Sequence, residues 1–396
     1  MYVKNRTRRR AAILAVALSL LTLLVCLLLR DYYHKYILFA PHIENQVMEQ
    51  QGDVQAWILL KRAEQGTYQH VCRYDLEPDG SVSLTSTDYW QSYVDTISGD
   101  TFRELSTMVP KAELMQVWHL PNGCLADYWR GHDQLHTVVQ TDRTGREVFR
   151  YDFDPSGYSS PCQAVLTEPD WLHILSYDRR TGRIYVDSVN KWNEERDHVS
   201  FSYEDLSGDR DADIGMGSFL PNSDNFYIRD GVLYLADSYY SPAGNGSVVA
   251  AWSMQTGQPL GFRRIPGAQV MEVWWQENGV QVLFNHKDYQ PLEICTYDLD
   301  RLVQTGSVAL PLPPEFLAGK GEAPSKYLLY DAKGNAKQVG VVFPDLEHGS
   351  DSRTRRTVFC VYDRDSGECV YRSEMSVNAE YEIYEVILAR SAVTGI

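Results

Sequence analysis

Along most of this chain, apolar and polar residues alternate in short runs broken by Gly, Pro, Asp and Ser. A period of two is that of an extended strand with one buried face. The runs come in pairs around a polar turn. An apolar or aromatic stretch ends in an aromatic-Asp pair or its equivalent. A turn follows, often closing on Gly, and a second strand-like run begins. Copies start at Val71 (VCRYDLEPDGSVSL), Val138 (VVQTDRTGREVF), Ile174 (ILSYDRRTGRIYV), Val249 (VAAWSMQTGQPLGF), Ile294 (ICTYDLDRLVQTGSV) and Val358 (VFCVYDRDSGECVY). The Asp can cap the turn, and the Gly supplies the positive φ of a bulged hairpin loop.

Two further strand-like runs stand upstream of several copies: LMQVWHL with CLADYWR, VMEVWWQ with VQVLFN, and KYLLYD with QVGVVF. Each group is then four short strands in about 40–50 residues, the repeat length of a propeller blade. A blade cannot bury both faces alone, so blades pack around a common axis. The expected fold is all-β, a ring of six blades, with a seventh left open by the uneven copy spacing of 67, 36, 75, 45 and 65 residues. A pair of packed sheets is the competing arrangement. Residues Val54 to Thr87 offer about three strands, and Tyr381 to Ala389 (YEIYEVILA) read as one strand without a blade around it. The last strand is therefore expected to complete the first blade and remove the edges of an open ring. Residues Pro311 to Pro324 read as a loop between blades.

One stretch breaks the alternation. Ala11 to Leu29 is a single apolar run without charge, Pro or Gly, preceded by Lys4, Arg6, Arg8, Arg9 and Arg10. As a helix it spans about 28 Å, the thickness of a bilayer's hydrocarbon core. Ser19 and Thr22 can bond back to helix carbonyls. A cleaved signal peptide shares the basic start but has a shorter apolar region, and no small-x-small cleavage pattern follows. The expectation is one membrane-spanning signal-anchor, its basic end in the cytoplasm and the remainder outside the cell membrane. Tyr32, Tyr33 and Tyr36 suit the interfacial belt. The expected organisation is a basic tail over 1–10, the span over 11–29, a juxtamembrane segment over 30–52 and the propeller over 53–396.

Charge sharpens the picture. Five basic residues and no acidic ones precede Arg30, so the rest carries 32 basic against 53 acidic residues, a net −21. That disfavours nucleic acid and close contact with anionic lipid, and it is compatible with cations or basic partners. The aromatic content (26 Tyr, 12 Phe, 9 Trp) favours strands. Six of the seven cysteines lie beyond the apolar run and no CxxC pair exists, which disfavours a zinc ribbon or thioredoxin-type centre. Cys360 and Cys369 flank one turn and are the nearest pair. Their register reads as diagonal, and no bond between them is expected.

The hairpins resemble the outer hairpin of the β-propeller superfamily, aromatic-Asp-x-x-Thr-Gly, as found in quinoprotein-type repeats and YVTN-like surface propellers. The Gly-His…Trp-Asp signature of WD repeats and the Asp-box of sialidases are missing. The densest local chemistry is Asp205-Leu-Ser-Gly-Asp-Arg-Asp-Ala-Asp-Ile-Gly-Met-Gly217. Oxygens recur at Asp205, Ser207, Asp209, Asp211 and Asp213, and alternate spacing in a tight loop lets them converge on one hard cation such as calcium. The segment resembles the calcium loop of FG-GAP repeats in integrin-α-like propellers, with Asp205, Asp209, Asp213 and Gly217 at matching positions. Ser207 replaces that loop's Asn, Ile214 its Leu and Arg210 its Gly. The resemblance implies a structural Ca2+. A solvated acidic loop is the plain alternative.

Other residue groups are weaker. His132 and His136 sit in an extended context, about 13 Å apart, too far to share a metal, and read as polar surface positions. Asp152 with Asp154 reads as a turn. Tyr239-Tyr240 and Trp274-Trp275 adjoin strand ends, where aromatics can stack on sugars or anchor peptides. Packing is the expected role for both pairs. No GxSxG, HExxH, GxxxxGK or GxGxxG occurs, so catalytic residues are unknown and no cofactor-binding residue is identified. The resulting expectation is a membrane-anchored binding or scaffold module for a protein or glycan, more readily than an enzyme. A hydrolase or lyase with carboxylates in an axial pocket is the second reading.

Overall fold

The computed structural model describes residues 15–29, 41–52, 54–62, 68–91, 105, 108–120, 123–153, 160–178, 181–202, 213–214, 225–240, 244–286, 291–314, 331–344, 354–378 and 381–388. All the strands are antiparallel to their neighbours. Strand β1 (Glu44–Gln50) precedes β2 (Ala56–Arg62), β3 (Tyr68–Leu76) and β4 (Val82–Gln91). The second blade holds β5 (Glu113–Leu120), β6 (Gly123–Arg130), β7 (Leu135–Asp142) and β8 (Glu147–Phe153). The third holds β9 (Ser160–Thr167), β10 (Trp171–Asp178), β11 (Arg183–Asn190) and β12 (Arg196–Ser202). The fourth begins on two short pieces, β13 (Asp213–Ile214) and β14 (Phe226–Arg229), followed by β15 (Val232–Tyr240), β16 (Gly246–Ser253) and β17 (Pro259–Pro266). The fifth holds β18 (Ala268–Trp275), β19 (Gly279–His286), β20 (Leu292–Asp298) and β21 (Val303–Leu310). The sixth holds β22 (Asp331–Gly334), β23 (Gln338–Pro344), β24 (Thr354–Asp363) and β25 (Cys369–Asn378). The last strand, β26 (Tyr381–Leu388), returns to pair with β2.

These six sheets form a β-propeller-type fold. The expected closure is present: Trp57 lies opposite Ile387 and Ala56 opposite Leu388, so β26 completes the sheet of β2, β3 and β4. The amino-terminal side adds a second closure. Strand β1 pairs along β25 as the fifth strand of the sixth blade. The boundary expected at residue 53 therefore moves outward, because Glu44–Gln50 alternates exposed and half-buried positions as an edge strand does. Its Asn45 Nδ2 donates to the Tyr371 hydroxyl of the sixth blade at 3.0 Å and to the Gly80 carbonyl of the first at 2.8 Å.

Alternation explains where the core sits. Side chains of opposite parity leave a strand on opposite faces, and the buried clusters lie between neighbouring sheets. Leu233 and Leu235 pack toward Leu175 and Phe201 of the third blade. Tyr234 and Ala236 pack toward Val280 and Phe284 of the fifth. Ile58, Leu60 and Val386 of the first blade meet Phe359, Val361 and Tyr371 of the sixth. Trp274 and Trp275 take opposite faces as expected: Trp274 joins the fifth-sixth cluster and Trp275 the fourth-fifth. Arg364, buried in a turn of the sixth blade, lies 3.9 Å over the Trp274 ring and donates to the Asn335 carbonyl at 2.5 Å and to Gln281 Oε1. Burial lowers its pKa from the usual guanidinium value.

The hairpin chemistry matches the sequence reading at most copies. Asp142 Oδ1 accepts from the Thr144 and Arg146 amides, and Asp363 Oδ1 from the Asp365 and Ser366 amides. Gly145, Gly257 and Gly367 take φ of 78°, 69° and 74°. Two copies differ. In the fifth blade Leu302 takes the left-handed position at φ 51°, and Gly306 lies inside β21. In the third blade the Asp178 hairpin joins β10 to β11, the second and third strands, whereas the other copies join the third and fourth. That one misplaced copy explains the spacings of 36 and 75.

The apolar run forms a helix over 15–29, with Ser19 Oγ donating to the Ala15 carbonyl and Thr22 Oγ1 to the Leu18 carbonyl, both at 2.9 Å. Among the described residues no helix is long and apolar enough to cross a membrane. Residues 1–14 and 30–40 lie outside the described residues.

Closure makes two predictions. Removing residues 381–396 exposes the edge of β2 and the Ile58 face, so calorimetry should show a lower melting temperature for the whole domain; an unchanged one counts against a closed ring. Leu60→Ala, at a fully buried position of β2, should cost about 2–5 kcal/mol in denaturant unfolding. Leu260→Ala, on the exposed edge of the fourth blade, should stay within about 0.5 kcal/mol.

Candidate functional site

In each four-stranded meander, the first-second and third-fourth turns lie at one end and the second-third turn at the other. The third-fourth turn of the third blade is where the repeat departs most. Its sequence, Asn190-Lys-Trp-Asn-Glu-Glu195, keeps the capping logic with different residues. Asn190 Oδ1 replaces the usual Asp and accepts from the amides of Trp192 at 3.0 Å and Asn193 at 3.3 Å. Glu194 takes the left-handed position at φ 57° in place of Gly. Trp192 occupies the tip and is 78% exposed.

An exposed indole at a turn tip is ordinarily free to rotate. Here its Nε1–H donates to Asp170 Oδ1 at 2.8 Å, from the turn between β9 and β10. The backbone of Lys191 donates to the Asp170 carbonyl at 2.9 Å, which joins the two turns. Lys191 Nζ donates to Thr167 Oγ1 at 2.5 Å and to the Glu168 carbonyl at 2.7 Å. Its pKa is lowered by burial. Beneath, the buried His173 ring lies between Ser188 Oγ, 2.8 Å from Nδ1, and Glu168 Oε2, 3.1 Å from Nε2. The Trp171 ring stacks on His173 with centroids 6.4 Å apart. The result is an exposed apolar plate held at its edge by the Asp170 carboxylate. Such a plate can stack on a sugar face while its neighbours accept hydroxyl hydrogens, or it can anchor a side chain of a partner. The sequence reading missed it. The available signal was a lone Trp inside a polar turn that carries Glu194 where other hairpins carry Gly.

At the opposite end, between the fourth and fifth blades, lies a cavity of about 130 Å3 lined by Ser238, Tyr239, Asn245, Gln269, Asn285 and His286 among others. Ser238 Oγ accepts from the Val270 amide at 2.7 Å, and Ser247 Oγ donates to the Ala268 carbonyl at 2.9 Å, so hydroxyls stitch the two blades below its floor. His286 Nε2 lies 3.1 Å from Glu293 Oε2. Tyr239 is buried with its hydroxyl against Gly246, where an added Cβ would sit 2.6 Å away. Its role is packing, as expected; the Tyr240 side chain is outside the described residues.

The expected cation ligands Asp205, Ser207, Asp209 and Asp211 lie outside the described residues. Of that set only Asp213 is placed, opposite Tyr240 in the short β13–β15 pairing. Among the described residues no group of three His, Cys, Asp or Glu side chains is arranged to hold a metal ion. His136 differs from its expected surface position. It is buried between Trp129 and Phe153, and its Nδ1 lies 2.9 Å from both oxygens of the buried Asp127. Asp127 and His136 both point toward the third blade, which the alternation of β6 hides because three apolar residues flank Asp127. His132 is exposed. Asp152 accepts from Arg130 at 2.7 Å and from Thr137 at 2.6 Å, which makes it a structural ion pair; Asp154 lies outside the described residues.

Among the described residues Asp237 on β15 is the carboxyl whose pKa is raised most. It is 6% exposed, and its Oδ1 accepts from the Ser238 amide at 2.7 Å and Asn225 Nδ2 at 3.2 Å. Among the described residues its Oδ2 has no partner. Burial pushes its pKa up to about 7, against which the two hydrogen bonds act weakly.

No protein-family model matches the chain, and no curated protein matches it. Among solved structures, an ACO/RPE65 chimera superposes with a TM-score of 0.51 at 6% identity, covering 89% of this chain and 97% of its own. A point variant of that chimera in a trigonal crystal form gives 0.50 at 7% identity over 89% and 97%. At such identities the likeness bears on fold alone.

The Asp237 environment fixes a pH dependence. The unfolded carboxyl titrates near its ordinary value of 3.8 and the folded one near 7. Between these values the unfolded chain releases a proton that the native state keeps. This group's contribution therefore falls as pH rises from about 4 to about 7 and is level above. Asp237→Asn, neutral at every pH, should raise the melting temperature more at pH 8 than at pH 5. Equal shifts at both pH values would contradict the raised value.

Proposed function

We propose that this chain is a binding module that presents a glycan-recognising face at the Trp192 turn of a β-propeller, with a protein partner as the second form of the same reading. The observation that carries it is the pinned, exposed Trp192 indole with Asp170 at its edge. A mobile aromatic loses rotamer freedom on binding. One already held by a hydrogen bond loses less. The carboxylate of Asp170 stands at the edge of an apolar plate, the pairing that suits a sugar ring with its apolar C–H face and its rim of hydroxyls. The finer repeat resemblance, to quinoprotein-type and YVTN-like surface propellers, belongs to the same proposal. The test is a glycan array probed with the purified domain, followed by titration of the best oligosaccharide through tryptophan fluorescence. Trp192→Ala should weaken binding by at least about tenfold with an unchanged melting temperature, since the side chain is exposed. Equal affinity of the variant, or a protein ligand competing without any glycan, would overturn the glycan assignment.

The hydrolase or lyase alternative draws on one observation, that His286, which lines the cavity between the fourth and fifth blades, pairs with Glu293. A carboxylate beside an imidazole can orient a general base. It predicts turnover of a bound glycan that His286→Ala abolishes, whereas the binding reading predicts no products.

Two further elements of the proposal concern placement and ions. Residues 11–29 anchor the chain in the cell membrane with the propeller on the extracytoplasmic side. The support is the charge asymmetry of the sequence and a helix over 15–29 whose side chains from Val16 to Leu29 are apolar and exposed apart from Ser19, Thr22 and the thiol of Cys26. External protease should digest the domain, and a released mature form without residues 1–40 would refute the anchor. Asp205, Ser207, Asp209, Asp211 and Asp213 hold a structural Ca2+. Binding to the native state alone stabilises by about 2.7 kcal/mol when free ion is 100 times the dissociation constant. Melting with calcium and with chelator checks it, with Asp209→Ala as control; equal temperatures leave a solvated acidic loop.

A further inference from the structure

The hairpin of β24 and β25 contains two thiols that its sequence alone keeps apart. Val361 lies opposite Tyr371, and an unbroken register would put Cys369 opposite Asp363. Residue 363 leaves the strand on the face opposite to residue 360, so Cys369 and Cys360 would then be separated by the sheet itself. The observed register shifts by one residue. Val370 is bulged, Tyr362 faces Cys369, and Cys369 moves to the face that carries Cys360 and Tyr362. All three side chains belong to the cluster between the fifth and sixth blades.

The two sulfurs are unlike. Cys360 is fully buried, and Cys369 is half-buried toward the turn. The two thiols interact within that cluster, and Cys369 Sγ donates to the Tyr371 carbonyl oxygen at 3.3 Å. Burial raises the pKa of Cys360, and the interaction with Cys360 lowers that of Cys369. The reachable sulfur is thus the one more readily ionised, and a second thiol stands in contact with it. This is the arrangement of an attacking and a resolving cysteine.

We propose that Cys360 and Cys369 are a redox-modification site that closes to a cross-strand disulfide by exchange with a small disulfide such as glutathione disulfide. The Cys369 thiolate attacks one sulfur of the reagent, and its S–S bond breaks as a new one forms to Cys369. One glutathione leaves as a thiolate and takes up a proton. The Cys360 sulfur, giving up its own proton, attacks Cys369 and expels the second glutathione, which takes that proton. Two protein thiols lose two electrons, and one glutathione disulfide becomes two glutathione molecules. The bond ties β24 to β25, the strand along which β1 docks, so it fixes the blade where the amino-terminal side of the chain joins the ring.

The test incubates the purified full chain with glutathione disulfide, alkylates the remaining thiols and maps the peptides by mass spectrometry. Wild type should yield one cross-linked species containing Cys360 and Cys369. Cys360→Ser, which keeps the attacking sulfur and removes the resolving one, should stop at a glutathione adduct on Cys369. Cys369→Ser should leave Cys360 alkylated only after unfolding. Melting curves establish that each variant is folded before mapping. Alkylation of both cysteines in folded wild type, a persistent adduct on Cys369 without closure, or an adduct on Cys360 in place of Cys369 would each overturn the pairing.

Discussion

The pairing of β26 with β2 is the constraint on which the rest of this molecule depends. The second to fifth sheets are built from consecutive strands and could assemble locally, as could β22 to β25 of the sixth. The first blade cannot, because the strand on its β2 edge arrives from the far end of the chain. Until it does, Ala56, Ile58 and Leu60 lack the partners Val386 and Leu388. The sixth blade is tied in the reverse sense by β1, so the two blades that meet at the seam each hold a strand from the opposite end of the sequence. With β26 in place the edge of β2 is covered and the first blade has its four strands.

That closure is what makes an exposed side chain informative. In a ring whose faces are filled by Leu, Val, Phe and Tyr, the turns are where residues are released from packing. Most turns here spend that freedom on Asp and Gly, which serve the hairpin alone. The Asn190–Glu195 turn instead carries Trp192 and holds it in place through Asp170. Maintaining a large apolar surface in water costs free energy, and the hydrogen bond directs that surface outward. The polar cavity between the fourth and fifth blades follows a different logic. Its hydroxyls satisfy the backbone where two sheets meet, and His286 in its lining pairs with Glu293.

The hairpin pattern and the four-strand grouping were legible because each rests on a period of two and on turn chemistry, both local properties, and the return of Tyr381–Leu388 to the first blade followed from counting three strands at one end and one left over at the other. The helix over 15–29 and its two hydroxyl back-bonds were legible for the same reason. The Asp178 hairpin was legible as a hairpin and misplaced within its blade, since an aromatic-Asp-x-x-Thr-Gly turn serves a second-third connection as well as a third-fourth one. Gly306 misled in the same way, because Leu302 takes the left-handed residue of that turn.

What the sequence by itself determined is most of the strands, which of their faces are apolar and that the strands come in blades; β1 was read as part of a juxtamembrane segment. What only the tertiary structure decided is everything that depends on register between strands or contact between blades. A single bulged residue at Val370 brings Cys369 to Cys360. The neighbouring turn orients Trp192, and two facing sheets bury Asp127 with His136. Linear spacing carries no record of these meetings, because a one-residue shift exchanges the faces of a strand and leaves its sequence unchanged.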